Sequence, residues 1–172
     1  MRPQVLIGDL LTAVRRLEIG DEAIRAGLAS LVWPARFQRV RTNPDLVLDG
    51  AHNAASAAFL CRTVKRLYPG RRVIAVMGLG GDKDVEGFCR ELAPALNAAI
   101  ITRSKAMKAV NTARLREALA AFGIELFEEP DTGAALEHAL RRASPSDLVL
   151  VTGSFYVISD AMKWLAGQSA KA

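Results

Sequence analysis

The sequence predicts an α/β fold, a largely parallel sheet covered by helices on both faces, with an antiparallel hairpin at its start. Three observations carry this. Short apolar runs (Arg72 to Met77, Ala98 to Thr102, Ile124 to Phe127, Leu148 to Val151) alternate with amphipathic stretches of helical period. Ala, Leu, Val and Ile fill the apolar positions while aromatics make up only 6% of the chain, which suits helices packed on a sheet. Polar residues gather in the segments that follow the apolar runs, whereas the segments that precede them look plain. At 172 residues and 51% hydrophobic, the chain can bury one good core with a small appendage.

Two registers meet near Trp33-Pro34. Before it, Val5 to Leu17 and Asp21 to Leu31 read as helices, the second opened by Asp21 as N-cap, with Ile24, Leu28 and Leu31 on one face. These helices are expected to expose apolar surface that self-association would cover, or else to be mobile. After the junction, Phe37 to Arg41 reads as an edge strand. Thr42-Asn43-Pro44-Asp45 is a turn, because Pro44 fixes φ and keeps Asn43 out of helix. Leu46 to Asp49 returns antiparallel. Helices follow over Asn53 to Leu67, Val85 to Leu96, Asn111 to Phe122, Thr132 to Ala143 and Phe155 to Ala166, and the tail Gly167 to Ala172 is expected to fray.

Composition excludes several classes. The net charge of +5 admits an anionic ligand, but the basic residues are scattered over separate helices and no aromatics interleave them. Arg62, Lys65, Arg66, Arg114, Arg116, Arg141 and Arg142 therefore read as solvated helix faces rather than a nucleic-acid surface. Cys61 and Cys89 lack metal spacing and read as reduced core thiols. His52 and His138 are far apart, so no metal site is expected. Val5 to Val14 is too short to span a membrane and is interrupted by Asp9. With no signal peptide apparent, a cytoplasmic location is expected.

The segments after the strands hold the chemistry. Asp49-Gly50-Ala51-His52-Asn53 brings a carboxylate, an imidazole and an amide to a strand's carboxyl edge, where small residues let a ligand approach the backbone. The plain alternative is an Asp that caps the next helix and a His that satisfies a turn. Gly78-Leu79-Gly80-Gly81-Asp82-Lys83-Asp84 could position a phosphate or carboxylate, or be a turn with Asp84 as a cap. Thr102-Arg103-Ser104-Lys105 is a further polar loop on the same edge. Thr152-Gly153-Ser154 could present N–H groups and hydroxyls to an anion, or simply cap its helix. Trp33 could plug the junction, and Arg36, on a Pro-stiffened linker, could reach a phosphate as a planar donor fork. The sequence contains no Gly-x-x-x-x-Gly-Lys-Ser/Thr, no Gly-x-Gly-x-x-Gly and no Gly-x-Ser-x-Gly.

Four segments in order, Trp33-Pro34-Ala35-Arg36-Phe37, Leu48-Asp49-Gly50-Ala51-His52-Asn53, Gly81-Asp82-Lys83-Asp84 and Val151-Thr152-Gly153-Ser154-Phe155-Tyr156, resemble the C-terminal domain of the folylpolyglutamate synthase/dihydrofolate synthase family, within the Mur ligase superfamily. The resemblance runs from about Leu17 to Leu165. It implies a Rossmann-like three-layer α/β/α domain over residues 33–172, with a six-stranded mixed sheet in the order 1-2-6-3-4-5 and strand 1 antiparallel. Residues 1–32 would be a helical remnant of, and linker to, the family's N-terminal ATPase domain. The family's P-loop lies in that larger domain, so the chain is expected to be a fragment, inactive alone.

The activity implied is ATP-dependent addition of L-glutamate to a folate or dihydropteroate carboxylate through an acyl phosphate, with Mg²⁺ held mainly in the other domain. By the family pattern, Arg36, Asp49, His52 and Asn53 would contact the nucleotide. His52 and Ser154 would line the entry of glutamate, with Asp82, Lys83 and Asp84 shaping that pocket, and no catalytic base is assigned. The alternative is a stand-alone nucleotide-binding or regulatory domain without catalysis.

Overall fold

In the computed structural model the described residues are 19–30, 33–106 and 112–169. The chain divides into two compact units, Met1–Trp33 and Pro34–Ala172. In the first, α1 spans Asp21–Ser30. Ile24 donates to the Gly20 carbonyl at 3.2 Å, so Asp21 lies inside the first turn rather than at the N-cap. Ile24 is half-buried, Leu31 and the side chain of Leu28 lie outside the described residues, and so does the helix expected over Val5 to Leu17. Trp33 is exposed.

The second unit is the α/β domain. Its strands are β1 (Gln38–Arg41), β2 (Asp45–Leu48), β3 (Val73–Met77), β4 (Ala98–Ile101), β5 (Glu125–Glu128) and β6 (Leu148–Thr152). They form a six-stranded sheet in the order β1-β2-β6-β3-β4-β5. Only β1 runs antiparallel, against β2. The helices are α2 (Ala54–Leu67), α3 (Val85–Leu92), α4 (Thr112–Ala120), α5 (Thr132–Arg142) and α6 (Phe155–Ser169).

Alternation along the buried strands sends successive side chains to opposite faces, and both faces are covered. Val47, Ala75, Met77, Ala99, Ile101 and Leu150 pack with Leu60, Val64, Phe88, Leu92, Leu115 and Leu119 of α2, α3 and α4. Leu46, Leu48, Ile74, Val76, Ile100 and Val149 meet Ala135, Leu136, Ala139, Val157, Ile158 and Ala161 of α5 and α6. Small alanines on α5 and α6 let those helices sit close to the sheet. Burying a Leu or Phe side chain stabilises the fold by about 1.5–3 kcal/mol, so these two layers dominate its stability.

Three element ends differ from expectation. The helix expected over Val85 to Leu96 stops at Leu92 and continues as a 3₁₀ turn, Ala93–Ala95, because Pro94 has no N–H to extend the ladder. The segment expected to end at Phe122 closes earlier, and the chain reverses at Gly123, whose φ is 65°. The last helix runs on to Ser169, past the point where fraying was expected.

The amino-terminal edge of the sheet is not plain. Asp45 and Asp147 are both buried there. Arg71 Nη1 donates to Asp45 Oδ2 at 2.7 Å, and Arg72 Nη1 lies 3.6 Å from Asp147 Oδ2. Arg72 and Arg142 share Glu125 at 3.2 and 3.0 Å. This network locks the starts of neighbouring strands.

Candidate functional site at the carboxyl edge

Asp49 follows β2 on the carboxyl edge of the sheet, and both of its oxygens accept backbone hydrogen bonds. Oδ2 takes the Phe37 N–H and Oδ1 the Ala51 N–H, each at 2.9 Å. Burial of the half-exposed carboxyl raises its pKa above 3.8, outweighing the two N–H bonds and the nearby Arg36 charge, which act to lower it. The plain reading of Asp49 as the cap of the next helix is overturned. Asn53 caps α2, in a reciprocal box with Ser56. Asn53 Oδ1 accepts from Ser56 N at 2.9 Å, so the carboxamide oxygen is committed to the helix.

What Asp49 does instead is hold the turn that carries Arg36. Ala35 and Phe37, on either side of Arg36, sit in the left-handed region with φ of 57° and 45°. Non-glycine residues are uncommon there and cost on the order of 1–2 kcal/mol. Asp49 fixes Phe37, the Gly50 N–H donates to the Ala35 carbonyl at 2.9 Å, and the Ala35 N–H donates to Gln38 Oε1 at 3.0 Å. The turn therefore owes its shape to these hydrogen bonds more than to Pro34.

His52 Nδ1 lies 2.8 Å from the Gly50 carbonyl, an acceptor only. Nδ1 must carry the proton, which leaves Nε2 as the acceptor of the neutral ring. Ser154 is buried at the start of α6, where its Oγ accepts the Tyr156 N–H at 3.1 Å and its own proton can be donated outward. Thr152-Gly153-Ser154 thus both caps its helix and faces the site. Gly153 has φ of 94°, and a Cβ there would stand 2.7 Å from the Gly78 carbonyl. At Gly78 a Cβ would stand 2.4 Å from the Thr102 carbonyl. These two glycines let the loops after β6, β3 and β4 touch backbone to backbone.

Lys83 Nζ is paired with Asp82 Oδ2 at 2.9 Å, and Lys83 holds the Asp82 carboxyl below its usual range. Asp84 is the N-cap of α3, accepting from Gly87 N at 2.9 Å, so its side chain is structural. The loop after β4 points elsewhere: Lys105 lies 3.7 Å from Asp131, and Thr132 Oγ1 donates to the Arg103 carbonyl. Of the residues singled out by sequence, the structure gathers Arg36, Asp49, His52 and Ser154, with Asp82 and Lys83 on the same edge.

Phe155 was missed. Its ring lies under the Arg36 guanidinium, with Cζ 5.0 Å from the centroid, and 6.2 Å from the His52 ring. As an aromatic at the first turn of a helix it gives no polar signal in the sequence. No group of three or more His, Cys, Asp and Glu among the described residues could hold a metal ion. No helix among the described residues is long and apolar enough to cross a membrane. Cys61 and Cys89 are free thiols, both buried.

The family model described as Mur ligase, glutamate ligase domain, matches residues 35–155. A dihydrofolate synthase/folylpolyglutamate synthase of Escherichia coli (strain K12) is 32% identical over 94% of this chain and 38% of its own length. One of Bacillus subtilis (strain 168) is 29% identical over 94% of this chain and 37% of its own. Among solved structures, Escherichia coli FolC in complex with ADP, without folate substrate, is 30% identical with a TM-score of 0.83, covering 93% of this chain and 38% of that one. The Yersinia pestis bifunctional folylpolyglutamate synthase/dihydrofolate synthase with Mn, AMPPNP and L-glutamate bound is 31% identical with a TM-score of 0.74, over 86% and 35%. The chain therefore spans about two fifths of the length of the curated relatives it matches.

Proposed function

The chain belongs to the glutamate ligase domain family of the Mur ligases, and on that premise we propose that it is the part of an ATP-dependent ligase that admits L-glutamate and closes on the nucleotide. The reaction is amide formation. A folate or dihydropteroate carboxylate accepts the terminal phosphoryl group of ATP, the α-amine of L-glutamate attacks the acyl phosphate carbon, and inorganic phosphate leaves. Catalysis of this kind rests on positioning and charge stabilisation in a closed site more than on covalent help from side chains.

The observation that carries the reading is the convergence of Arg36 and His52 on the Phe155 ring at the carboxyl edge, with Asp49 bonded to the turn that carries Arg36. Each oxygen of Asp49 keeps a lone pair beyond its backbone bond and can accept a ribose hydroxyl. Arg36 presents a planar donor fork suited to phosphate oxygens. His52 Nε2 and the Ser154 hydroxyl face the entering amino acid, and Lys83 supplies a cation for its carboxylates. Asn53 serves this edge as a helix cap, and Asp84 likewise. Mg²⁺ would offset the triphosphate charge. The cradle for the phosphates and most of the metal contacts are assigned to the portion of the relatives that this chain does not span. The proposed location is the cytoplasm.

The test is a ligase assay on the complete gene product with ATP, Mg²⁺, L-glutamate and either dihydropteroate or a reduced folate. The expected result is a product heavier by one glutamyl residue, with stoichiometric phosphate release that requires both acceptor and glutamate. Nucleotide binding without product from either acceptor would instead favour a regulatory domain.

A further inference from the structure

We propose that Phe155 is a positioning residue for nucleotide phosphate. The Arg36 guanidinium carbon lies over its ring, a contact that gives the guanidinium no hydrogen-bond acceptor and so leaves its N–H donors for phosphate. The inference rests on the ligase reading above and adds a residue to it. Arg36 is exposed on its turn, and the described residues give it no ion pair. An arginine of that kind normally samples many rotamers, and ordering it costs entropy at the moment of binding. Here its Cζ sits 5.0 Å from the Phe155 centroid, within the range of a cation–π contact. A ring offers the guanidinium no hydrogen-bond acceptor of the carboxylate kind, so its N–H groups remain for phosphate oxygens. A carboxylate partner would order the arginine equally well but would consume those donors.

Two further features are arranged for the stack. The turn carrying Arg36 is held between two left-handed residues, Ala35 and Phe37, so the base of the side chain is fixed as well as its tip. Gly50 supplies the room: a Cβ there would stand 2.5 Å from Phe155 Cζ and 2.9 Å from Arg36 Nη1. Glycine at this position keeps the slot clear for both partners. The ring remains 46% exposed, more surface than a residue held only for packing would leave in water.

The experiment is steady-state kinetics of the complete gene product with Phe155→Ala, Phe155→Leu, Phe155→Tyr and Gly50→Ala, alongside thermal unfolding of each. Phe155→Ala and Phe155→Leu should raise KM for ATP by about threefold to tenfold, the loss of one cation–π contact. They should leave KM for L-glutamate unchanged and kcat within about twofold. Phe155→Tyr should restore the wild-type value, and Gly50→Ala should resemble Phe155→Ala by displacing the pair. In an Arg36→Ala background, Phe155→Ala should add nothing further. Two outcomes overturn the proposal: rescue by leucine as complete as by tyrosine, which marks simple packing, or an undiminished Phe155→Ala effect without Arg36. Wild-type protein with no ATP-dependent glutamate ligation would overturn the ligase reading itself, and this proposal with it. Active wild type with unaffected Phe155 variants would remove only the proposal.

Discussion

Asp49→Ala strips two backbone amides of their acceptors at once, those of Phe37 and Ala51. The site is half-buried, so water reaches the stranded N–H groups only in part, and each costs about 1–1.5 kcal/mol, near the low end for an unsatisfied donor. Together they predict a loss of about 2–3 kcal/mol, or about 6–10 °C in unfolding midpoint for a domain of this size. Asp49→Asn keeps one acceptor and should lose roughly half as much. The damage should be local first. Phe37 is left-handed and unfavourable by itself, so its release lets the Arg36 turn relax. Burial raises the Asp49 pKa above 3.8, so the folded state binds more protons than the unfolded state between 3.8 and the folded value. The contribution of Asp49 to stability therefore falls as pH rises through that window, and wild type should gain most over Asp49→Asn below it. The assays are thermal unfolding across that pH range and amide exchange at Phe37 and Ala51. An Ala variant with the wild-type midpoint and undisturbed Phe37 exchange would refute the reasoning.

Asn53→Ala removes the α2 cap and should cost about 1 kcal/mol in urea unfolding while leaving nucleotide affinity unchanged. Burial, with Glu86 and Asp84 adding to it, pushes the Cys89 thiol up to about 12; iodoacetamide at mildly alkaline pH should label it only after denaturation, as read by mass spectrometry. Arg71→Ala strands the buried Asp45 with only Arg39 at 3.9 Å and should cost about 3 kcal/mol in chemical unfolding, much of it recovered by Asp45→Asn in the same chain.

The sheet was legible because its strands are continuous apolar runs of four to six residues, a pattern produced by two-sided burial. Its helices were legible from period and caps, and their ends were not, since Pro94 and the Ala121–Gly123 reversal act through local hydrogen bonding that period does not report. The polar loops of the proposed binding edge were visible after the strands, yet what each residue does there was not. Asp49 and Asn53 are both plausible caps by type, and only the fold decides that Asn53 caps while Asp49 reaches across 12 positions to Phe37. The amino-terminal network needed the strand order first. Asp45, Asp147 and the pair Arg71-Arg72 stand at the starts of β2, β6 and β3, which are neighbours only in the folded sheet.

The central claim is that nucleotide and glutamate bind at the carboxyl edge around Arg36 and Asp49. The direct measurement is a map of backbone amide shifts in the ¹⁵N-labelled 172-residue chain titrated with Mg-ADP and then with L-glutamate. The account predicts saturable nucleotide-dependent shifts centred on Arg36, Gly50, Ala51, His52 and Phe155, with glutamate adding shifts at Lys83 and Ser154. Shifts confined to the amino-terminal edge around Arg71, Asn97 and Asp147, with none at the carboxyl edge, would contradict it.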